Sequence, residues 1–185
     1  VRRFGALRAD LPPGLHLRWP WPVETVARVR PAEVRTVEVG FRTVGEPGAG
    51  GANTWASAHG DGVAPISDEA VMVTGDGDLV TLLATVRYRA AEPRRFLLAA
   101  ADPDAVVRSC AESVLRELVA SHRFLELLTI RRAELEAMAL RRLERRLADA
   151  APGGMGVALD GLTLRDLHPP PEVVKSYHDV AKAIQ

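Results

Sequence analysis

The serines of this chain are candidates for nucleophilic chemistry, and their placement argues against that use. A catalytic serine needs a strained, exposed turn and a nearby base, and no Gly-x-Ser-x-Gly sequence occurs. Ser109, Ser113 and Ser121 fall within a predicted helix, whereas Ser57 and Ser67 fall within a glycine-rich stretch. We therefore expect no catalytic serine.

The residues that could bind a metal ion are too scattered to predict a site from their spacing. The five histidines are His16, His59, His122, His168 and His178. No two of them are four residues apart on one helix, and no His-Glu-x-x-His sequence exists. Asp76 and Asp78 lack the spaced oxygen ligands and the closing glutamate of a calcium loop. We expect no metal, no cofactor and no catalytic residue, so the chain is not predicted to be an enzyme.

Cys110 is the single cysteine of the chain. One thiol cannot form an intrachain disulfide, nor can it build a cysteine-based zinc cluster. Because it lies on the apolar stripe of a predicted helix, we interpret it as a small core residue rather than a reactive thiol.

Two tryptophans close to the start of the chain are the most informative surface candidates. Trp19 and Trp21 alternate with prolines and follow the apolar residues Leu15 and Leu17. Tryptophan is favoured where one end of the side chain is apolar and the other contacts water, as at a membrane interface. Packing into the protein core explains the same pattern equally well. The predicted membrane-proximal residues are Leu15, Leu17, Trp19 and Trp21.

A cluster of arginines on a predicted helix could mediate contact between copies of the chain. Its members are Arg141, Arg142, Arg145 and Arg146. The simpler interpretation is the solvated face of an amphipathic helix. The functional interpretation is contact with a neighbouring protomer or with lipid headgroups. We predict Arg141 and Arg145 as oligomer contacts.

The last predicted helix carries an apolar seam formed by Val173, Tyr177, Val180 and Ile184. Such a seam suits helix–helix association beyond residue 185. Docking of the helix onto the domain's own sheet is an equal alternative. Tyr177, Val180 and Ile184 complete the set of predicted oligomer contacts.

The order of predicted elements indicates an α+β fold. Alternating apolar residues predict strands at 15–19 and 37–41, followed by a hairpin of residues 71–73 and 80–88 around a glycine-containing turn. Helices are predicted after Pro93, from Asp102-Pro103, and over 130–150, before one late strand at 156–167. Strands first and helices later favour an antiparallel sheet with packed helices over alternating α/β.

The predicted domain map treats residues 1–185 as one domain. Residues 1–92 form a β-rich part that contains a long flexible loop at 43–68, where glycine and proline concentrate. Residues 93–168 form an α+β part, and 169–185 begin a C-terminal helix. Both chain ends fall within predicted elements, so we expect further segments, including any membrane anchor, outside this sequence.

Composition excludes several classes of function. The chain has 185 residues, 47% hydrophobic and 26% charged, which is ordinary for one globular domain. Its formal net charge is zero, so no overall field attracts nucleic acid. No run of about 18 apolar residues predicts a membrane-spanning helix.

The sequence resembles the SPFH (band 7, prohibitin-homology) family through motifs in a fixed order. In the first part of the chain, Val-Arg-Arg-Phe-Gly at 1–5 and Pro-Gly-Leu-His at 13–16 resemble the family's opening strand and turn. Trp-Pro-Trp-Pro at 19–22 resembles the HflK-type members, and 34–42 matches their next strand.

The resemblance continues through the second part. Thr-Gly-Asp at 74–76 is similar to the start of the family's hairpin turn, and Val-Arg-Tyr-Arg at 86–89 to the strand after it. Residues 93–98 resemble the family's short helix, and Pro-Pro-Pro-Glu-Val at 169–173 its closing helix. The likeness covers almost the whole chain outside the glycine-rich stretch.

The resemblance implies a membrane-associated scaffold rather than an enzyme. It implies an N-terminal membrane anchor, a following helical region, and assembly with itself and an HflC-like SPFH partner into a large ring or cage. The implied partners also include an FtsH-like AAA+ membrane protease and membrane lipid, with no nucleic acid. It places the domain at the bacterial inner membrane, on the periplasmic face. A stomatin-like or flotillin-like organiser of membrane microdomains is the alternative.

Overall fold

The computed structural model describes residues 1–12, 14–17, 19–43 and 63–170. Its strands are β1 (Arg2–Arg3), β2 (Ala6–Leu7), β3 (Glu24–Thr25), β4 (Arg35–Val39), β5 (Phe41–Thr43), β6 (Val63–Pro65), β7 (Val71–Val73), β8 (Leu79–Ala90) and β9 (Val157–His168). Its helices are α1 (Ser67–Ala70), α2 (Pro93–Ala99), α3 (Pro103–Ala120), α4 (Phe124–Thr129) and α5 (Arg132–Asp149). The predicted α+β class is confirmed.

The long strand β8 organises the main antiparallel sheet. It pairs with β9 over nearly its whole length, while β7 pairs with its first residues and β4 with its later ones. Because alternate residues of a strand face opposite sides of the sheet, Val80, Leu82, Ala84, Val86 and Tyr88 all enter one core, where each is at most 2% exposed. The predicted hairpin and the predicted late strand are confirmed.

Helix α3 covers this apolar face, and its start was predictable from local sequence. The Asp102 carboxylate accepts a hydrogen bond from the Ala105 N–H at 3.0 Å, and Pro103 occupies the first helical position. These two residues satisfy a free N–H and pre-set the backbone of the first turn. The helix then buries an apolar stripe comprising Val107, Ala111, Val114, Leu115, Leu118 and Val119.

Helix α5 lies beside α3 and β9, and its buried face agrees in part with the sequence. Apolar periodicity over 130–150 predicts a stripe of Ile130, Ala133, Ala137, Leu140, Leu143 and Leu147, of which Leu143 and Leu147 are buried. Earlier in the helix the buried residues are Leu135 and Ala139 instead, and Ala133 is exposed. There Glu136 accepts a hydrogen bond from the Leu164 N–H of β9 at 2.9 Å, a contact that periodicity cannot reveal.

The predicted loop at 43–68 is too long at both ends. Thr43 ends β5, which pairs antiparallel with β6, and α1 begins at Ser67. The Arg42 guanidinium donates to both Glu69 carboxylate oxygens, at 3.0 and 2.7 Å, and so ties β5 to α1. The ion pair joins the two residues that flank the predicted loop, and the pairing of β5 with β6 gives strand structure to both of its ends. Residues 44–62 lie outside the described part of the chain.

Two further elements depart from the sequence interpretation. The predicted strand at 15–19 is absent, because residues 14–17 and 19 have no strand pairing among the described residues. Helix α4 was not predicted, since its six residues are too few to show helical periodicity.

Candidate functional site

The first 21 residues carry large apolar side chains that the core does not bury. Leu15 and Leu17 are fully exposed, and Trp21 and Phe4 are 78% and 79% exposed. Together with two less exposed neighbours they form what we call the N-terminal apolar surface, consisting of Phe4, Leu11, Leu15, Leu17, Trp19 and Trp21. Single exposed apolar residues are ordinary, but such a concentration in one short segment makes this surface a candidate for contact with a membrane or another protein.

A small three-stranded sheet carries this surface. Strand β1 pairs antiparallel with both β2 and β3. Phe4 stands at the tip of the β1–β2 turn with φ at +49°, a backbone conformation that bulky residues rarely adopt. Its N–H donates to the Val23 carbonyl oxygen at 3.0 Å, which holds it there. The fold thus keeps an aromatic side chain at an exposed turn tip.

Glu24 in β3 connects the tryptophan segment to this sheet. One carboxylate oxygen accepts hydrogen bonds from the Arg3 guanidinium at 2.9 and 2.7 Å, and the other accepts one from the Trp19 N–H at 2.9 Å. Glu24 is only 5% exposed. The Trp19 N–H and then the Arg3 guanidinium lower the pKa of Glu24, so the carboxylate is charged at neutral pH.

The small sheet contacts the body of the domain at α2. Arg2 donates to the Leu97 carbonyl oxygen at a long 3.5 Å. Between the two lies an open cleft of about 340 Å³, with Arg2 at one side and mainly small apolar residues around it. Its lining residues are Arg2, Thr25, Val26, Ala27, Leu97, Ala100, Ala101 and Pro103.

The predicted membrane-proximal residues Leu15, Leu17, Trp19 and Trp21 all belong to the N-terminal apolar surface. Because even the least exposed of them, Trp19, is 61% exposed, packing into the core no longer explains them. Contact with a membrane remains a prediction. Sequence reasoning missed Glu24 and Arg3, since an isolated Arg and Glu 21 residues apart carry no recognisable signal.

Within the arginine cluster on α5, Arg146 differs in its contacts from Arg141 and Arg145, and Arg142 is half-buried. Arg146 faces α3, where it donates to Ser113 Oγ at 3.0 Å and pairs with Glu117. Arg141 and Arg145 are exposed and lie one turn apart. They stay predicted oligomer contacts, whereas Tyr177, Val180 and Ile184 lie outside the described residues.

One serine and one histidine do meet, at the end of α3. Ser121 Oγ lies 3.1 Å from His122 Nδ1, but both atoms also lie within 2.8 Å of the Leu118 carbonyl oxygen. A carbonyl oxygen only accepts, so the hydroxyl proton and a proton on Nδ1 both point to it. His122 Nδ1 cannot then act as the base for Ser121. The pair terminates the helix.

No other arrangement for catalysis emerges from the parts of the chain that the structure describes. Within them, no three His, Cys, Asp or Glu side chains come together as a metal site. Cys110 is half-buried, and burial raises the pKa of its thiol, which favours the unreactive protonated form. Among the helices of residues 1–43 and 63–170, none combines the length and hydropathy needed to cross a bilayer.

Comparison with known proteins identifies the class to which this fold and surface belong. The model of the SPFH domain / Band 7 family matches residues 1–185. The chain therefore belongs to the SPFH domain / Band 7 family, as its motifs predicted.

The chain is also similar to individual bacterial proteins named HflK. The chain is 30% identical to "Protein HflK" of Treponema pallidum over 187 aligned positions, which cover 100% of this chain and 53% of the relative. It is 28% identical to "Modulator of FtsH protease HflK" of Escherichia coli K12, over 77% of this chain and 34% of the relative. It is 25% identical to "Protein HflK" of Haemophilus influenzae, over 99% and 37%. The chain thus spans about half the length of these relatives or less.

Proposed function

We propose that this chain is the SPFH domain of a membrane-associated oligomeric scaffold that modulates a membrane-bound AAA+ protease, in the manner of an HflK-like regulator of an FtsH-like enzyme. The proposal rests on family membership and on relatives named HflK, one of which is named a modulator of FtsH protease. Its partners are further copies of itself, an HflC-like SPFH protein and the protease. It works at the bacterial inner membrane, on the periplasmic face.

The observation that carries the membrane part of the proposal is the N-terminal apolar surface. Trp19 and Trp21 supply apolar rings with polar N–H groups, the combination favoured at the boundary between headgroups and acyl chains. Leu15 and Leu17 add fully exposed aliphatic area beside them. Insertion of these side chains into a bilayer removes apolar area from water, which stabilises the bound state.

A scaffold role also agrees with the arrangement of the polar side chains. The groups that could have served catalysis have structural partners instead: Ser113 binds Arg146, and Ser121 and His122 bind the end of α3. We therefore propose that this domain modulates the protease by restricting access to it, and not by performing a chemical reaction.

Vesicle flotation tests the membrane contact. Trp19→Ser together with Trp21→Ser is expected to reduce binding of the 185-residue chain to vesicles of phosphatidylethanolamine and phosphatidylglycerol by about tenfold or more, given the apolar area lost. The matched control is Val73→Ser with Leu79→Ser, because these residues are also exposed and apolar but lie on the distant β7–β8 hairpin. Equal binding of wild type and the tryptophan variant, with both folded, would rule out this contact.

Affinity capture tests the protease part. The full-length protein is captured from detergent-solubilised native membranes, and the eluate is analysed by mass spectrometry. Recovery of an FtsH-like protease and a second SPFH protein is the expected result. Recovery of the protein alone, in a large lipid-rich particle, would instead favour the organiser of membrane microdomains.

A further inference from the structure

Glu24 is a buried charge that contacts the N-terminal apolar surface. Its side chain is almost fully buried, yet it accepts a hydrogen bond from the backbone of Trp19, whose side chain is 61% exposed. Burial of a charge is costly unless hydrogen bonds compensate. Here three donors do so, two from Arg3 and one from the Trp19 N–H.

The two carboxylate oxygens of Glu24 bind two different segments of the chain. Oε1 accepts both hydrogen bonds from Arg3 in β1, and Oε2 accepts the one from Trp19. Two backbone hydrogen bonds hold the end of this segment: the Val23 N–H donates to the Pro20 carbonyl oxygen, and the Phe4 N–H donates to the Val23 carbonyl oxygen, both at 3.0 Å. Trp19 itself is joined to the sheet through the hydrogen bond from its N–H to Glu24.

We infer that Glu24 is a positioning residue for membrane contact: by holding the backbone of Trp19 against Arg3, it presents the two tryptophans in a fixed arrangement before any lipid is bound. This inference rests on the proposed membrane function. The physical reason is that a pre-ordered segment loses less conformational freedom on binding, so more of the apolar contact appears as affinity.

Glu24→Gln is the sharpest variant, because it changes the hydrogen-bonding pattern while keeping the shape. A glutamine side chain offers one oxygen and one NH₂ group, so it cannot accept from both Arg3 and the Trp19 N–H through separate oxygens. One donor must lose its partner. The matched control is Glu33→Gln, which removes the same charge from an exposed position of the same N-terminal part.

Two readouts separate the inference from the function on which it rests. Amide hydrogen exchange at Trp19, measured by NMR without lipid, reports whether Glu24 orders the segment. Exchange of the β8 amides in the same spectra reports whether the rest of the domain remains folded. Quenching of Trp19 fluorescence by brominated lipids, in a Trp21→Phe, Trp55→Phe background, reports membrane insertion.

The expected result is that Glu24→Gln accelerates exchange of the Trp19 amide by about tenfold, the size of effect that loss of one charge-assisted hydrogen bond produces. The β8 amides should be unchanged, and vesicle binding should fall several-fold, with Glu33→Gln behaving as wild type. Faster exchange with full vesicle binding would overturn the inference while leaving the membrane function intact. Unchanged exchange would overturn it as well. Absence of vesicle binding by the wild type would instead remove the membrane function itself, together with this role for Glu24.

Discussion

The Oδ1 atom of Asp76 accepts a hydrogen bond from the N–H of Phe124 at 2.9 Å, which joins the tip of the β7–β8 hairpin to the first residue of α4. The same oxygen accepts from Thr74 Oγ1 at 2.6 Å. One carboxylate therefore closes the turn and satisfies a free N–H at a helix start. The Thr-Gly-Asp motif that helped to predict the family therefore stabilises the hairpin turn and its contact with α4.

Asp76→Ala is expected to lower the midpoint of thermal unfolding by several degrees, because both hydrogen bonds are lost. The effect should depend on pH. The Thr74 hydroxyl, followed by the Phe124 N–H, lowers the pKa of Asp76 below its ordinary value of 3.8. A carboxyl with a lowered pKa stabilises the folded state above the unfolded value and loses that contribution as the pH falls through the folded value.

The difference in unfolding midpoint between wild type and Asp76→Ala should therefore be full at neutral pH and shrink below about pH 3.8. Differential scanning calorimetry across this range measures it, with the exposed Asp10→Ala as control. A difference that stays constant down to strongly acidic pH would contradict the charged hydrogen-bonding role.

Gly75→Ala is expected to destabilise the domain by about 1–3 kcal/mol through overpacking. A methyl group there would lie 2.9 Å from the Ala120 carbonyl oxygen and 3.1 Å from that of His122. These are backbone atoms that cannot move aside singly. Urea denaturation measures the loss. Gly161→Ala is the control, since its nearest neighbour would be Arg87 Nη2 at 3.6 Å, an ordinary contact. Equal stabilities would refute the close approach.

Tyr88→Phe is expected to cost about 1 kcal/mol of unfolding free energy. The phenol is fully buried and donates a hydrogen bond to Asp104, whose side chain is 46% exposed, so solvent reduces the value of the bond. A double-mutant cycle with Asp104→Ala isolates this pair from the effect of Asp104 on the α3 dipole. A coupling energy near zero would show that the bond adds nothing to stability.

Arg141→Glu combined with Arg145→Glu is expected to reduce the size of the full-length assembly, because reversed charge opposes a contact made by these exposed side chains. Sedimentation velocity in detergent measures it. Arg131→Glu with Arg132→Glu reverses two exposed charges at the other end of α5 and serves as control. Assembly by the Arg141 and Arg145 variant at wild-type size would contradict the contact.

The 185-residue chain alone is expected to be monomeric or weakly associated, and a stable large ring from it would show that the domain suffices for assembly.

Local signals predicted much of the fold because they act over a few residues. Asp102 and Pro103 predict the start of α3. The Asp102 cap and the fixed backbone angle of Pro103 act only on the first turn of the helix, so neighbouring residues are enough to recognise them. The alternation from Val80 to Tyr88 identifies β8, because burial of one sheet face repeats every second residue. Predictions failed where partners are distant in sequence, as for Thr43 and Val63, whose strand pairing lies within the supposed loop.

The candidate site, too, was predicted only where local sequence signals were enough. The residue types at Trp19 and Trp21 indicated a surface with one apolar and one wet side, but left core packing open. The exposed fraction of each side chain decided against the core. The role of Glu24 had no sequence signal, because its partners Arg3 and Trp19 meet only when the chain folds back on itself.

The sequence by itself determined the α+β class, the hairpin, the capped helix α3 and, through the order of its motifs, the family. Only the tertiary structure decided which apolar residues stay outside the core, which residues in the first half of α5 are buried, and that a buried carboxylate binds the backbone of Trp19. The physical reason is the distance along the chain over which each kind of interaction acts. Periodicity, capping and turn preferences are properties of a few consecutive residues, whereas burial and long-range hydrogen bonds depend on the path of the whole chain.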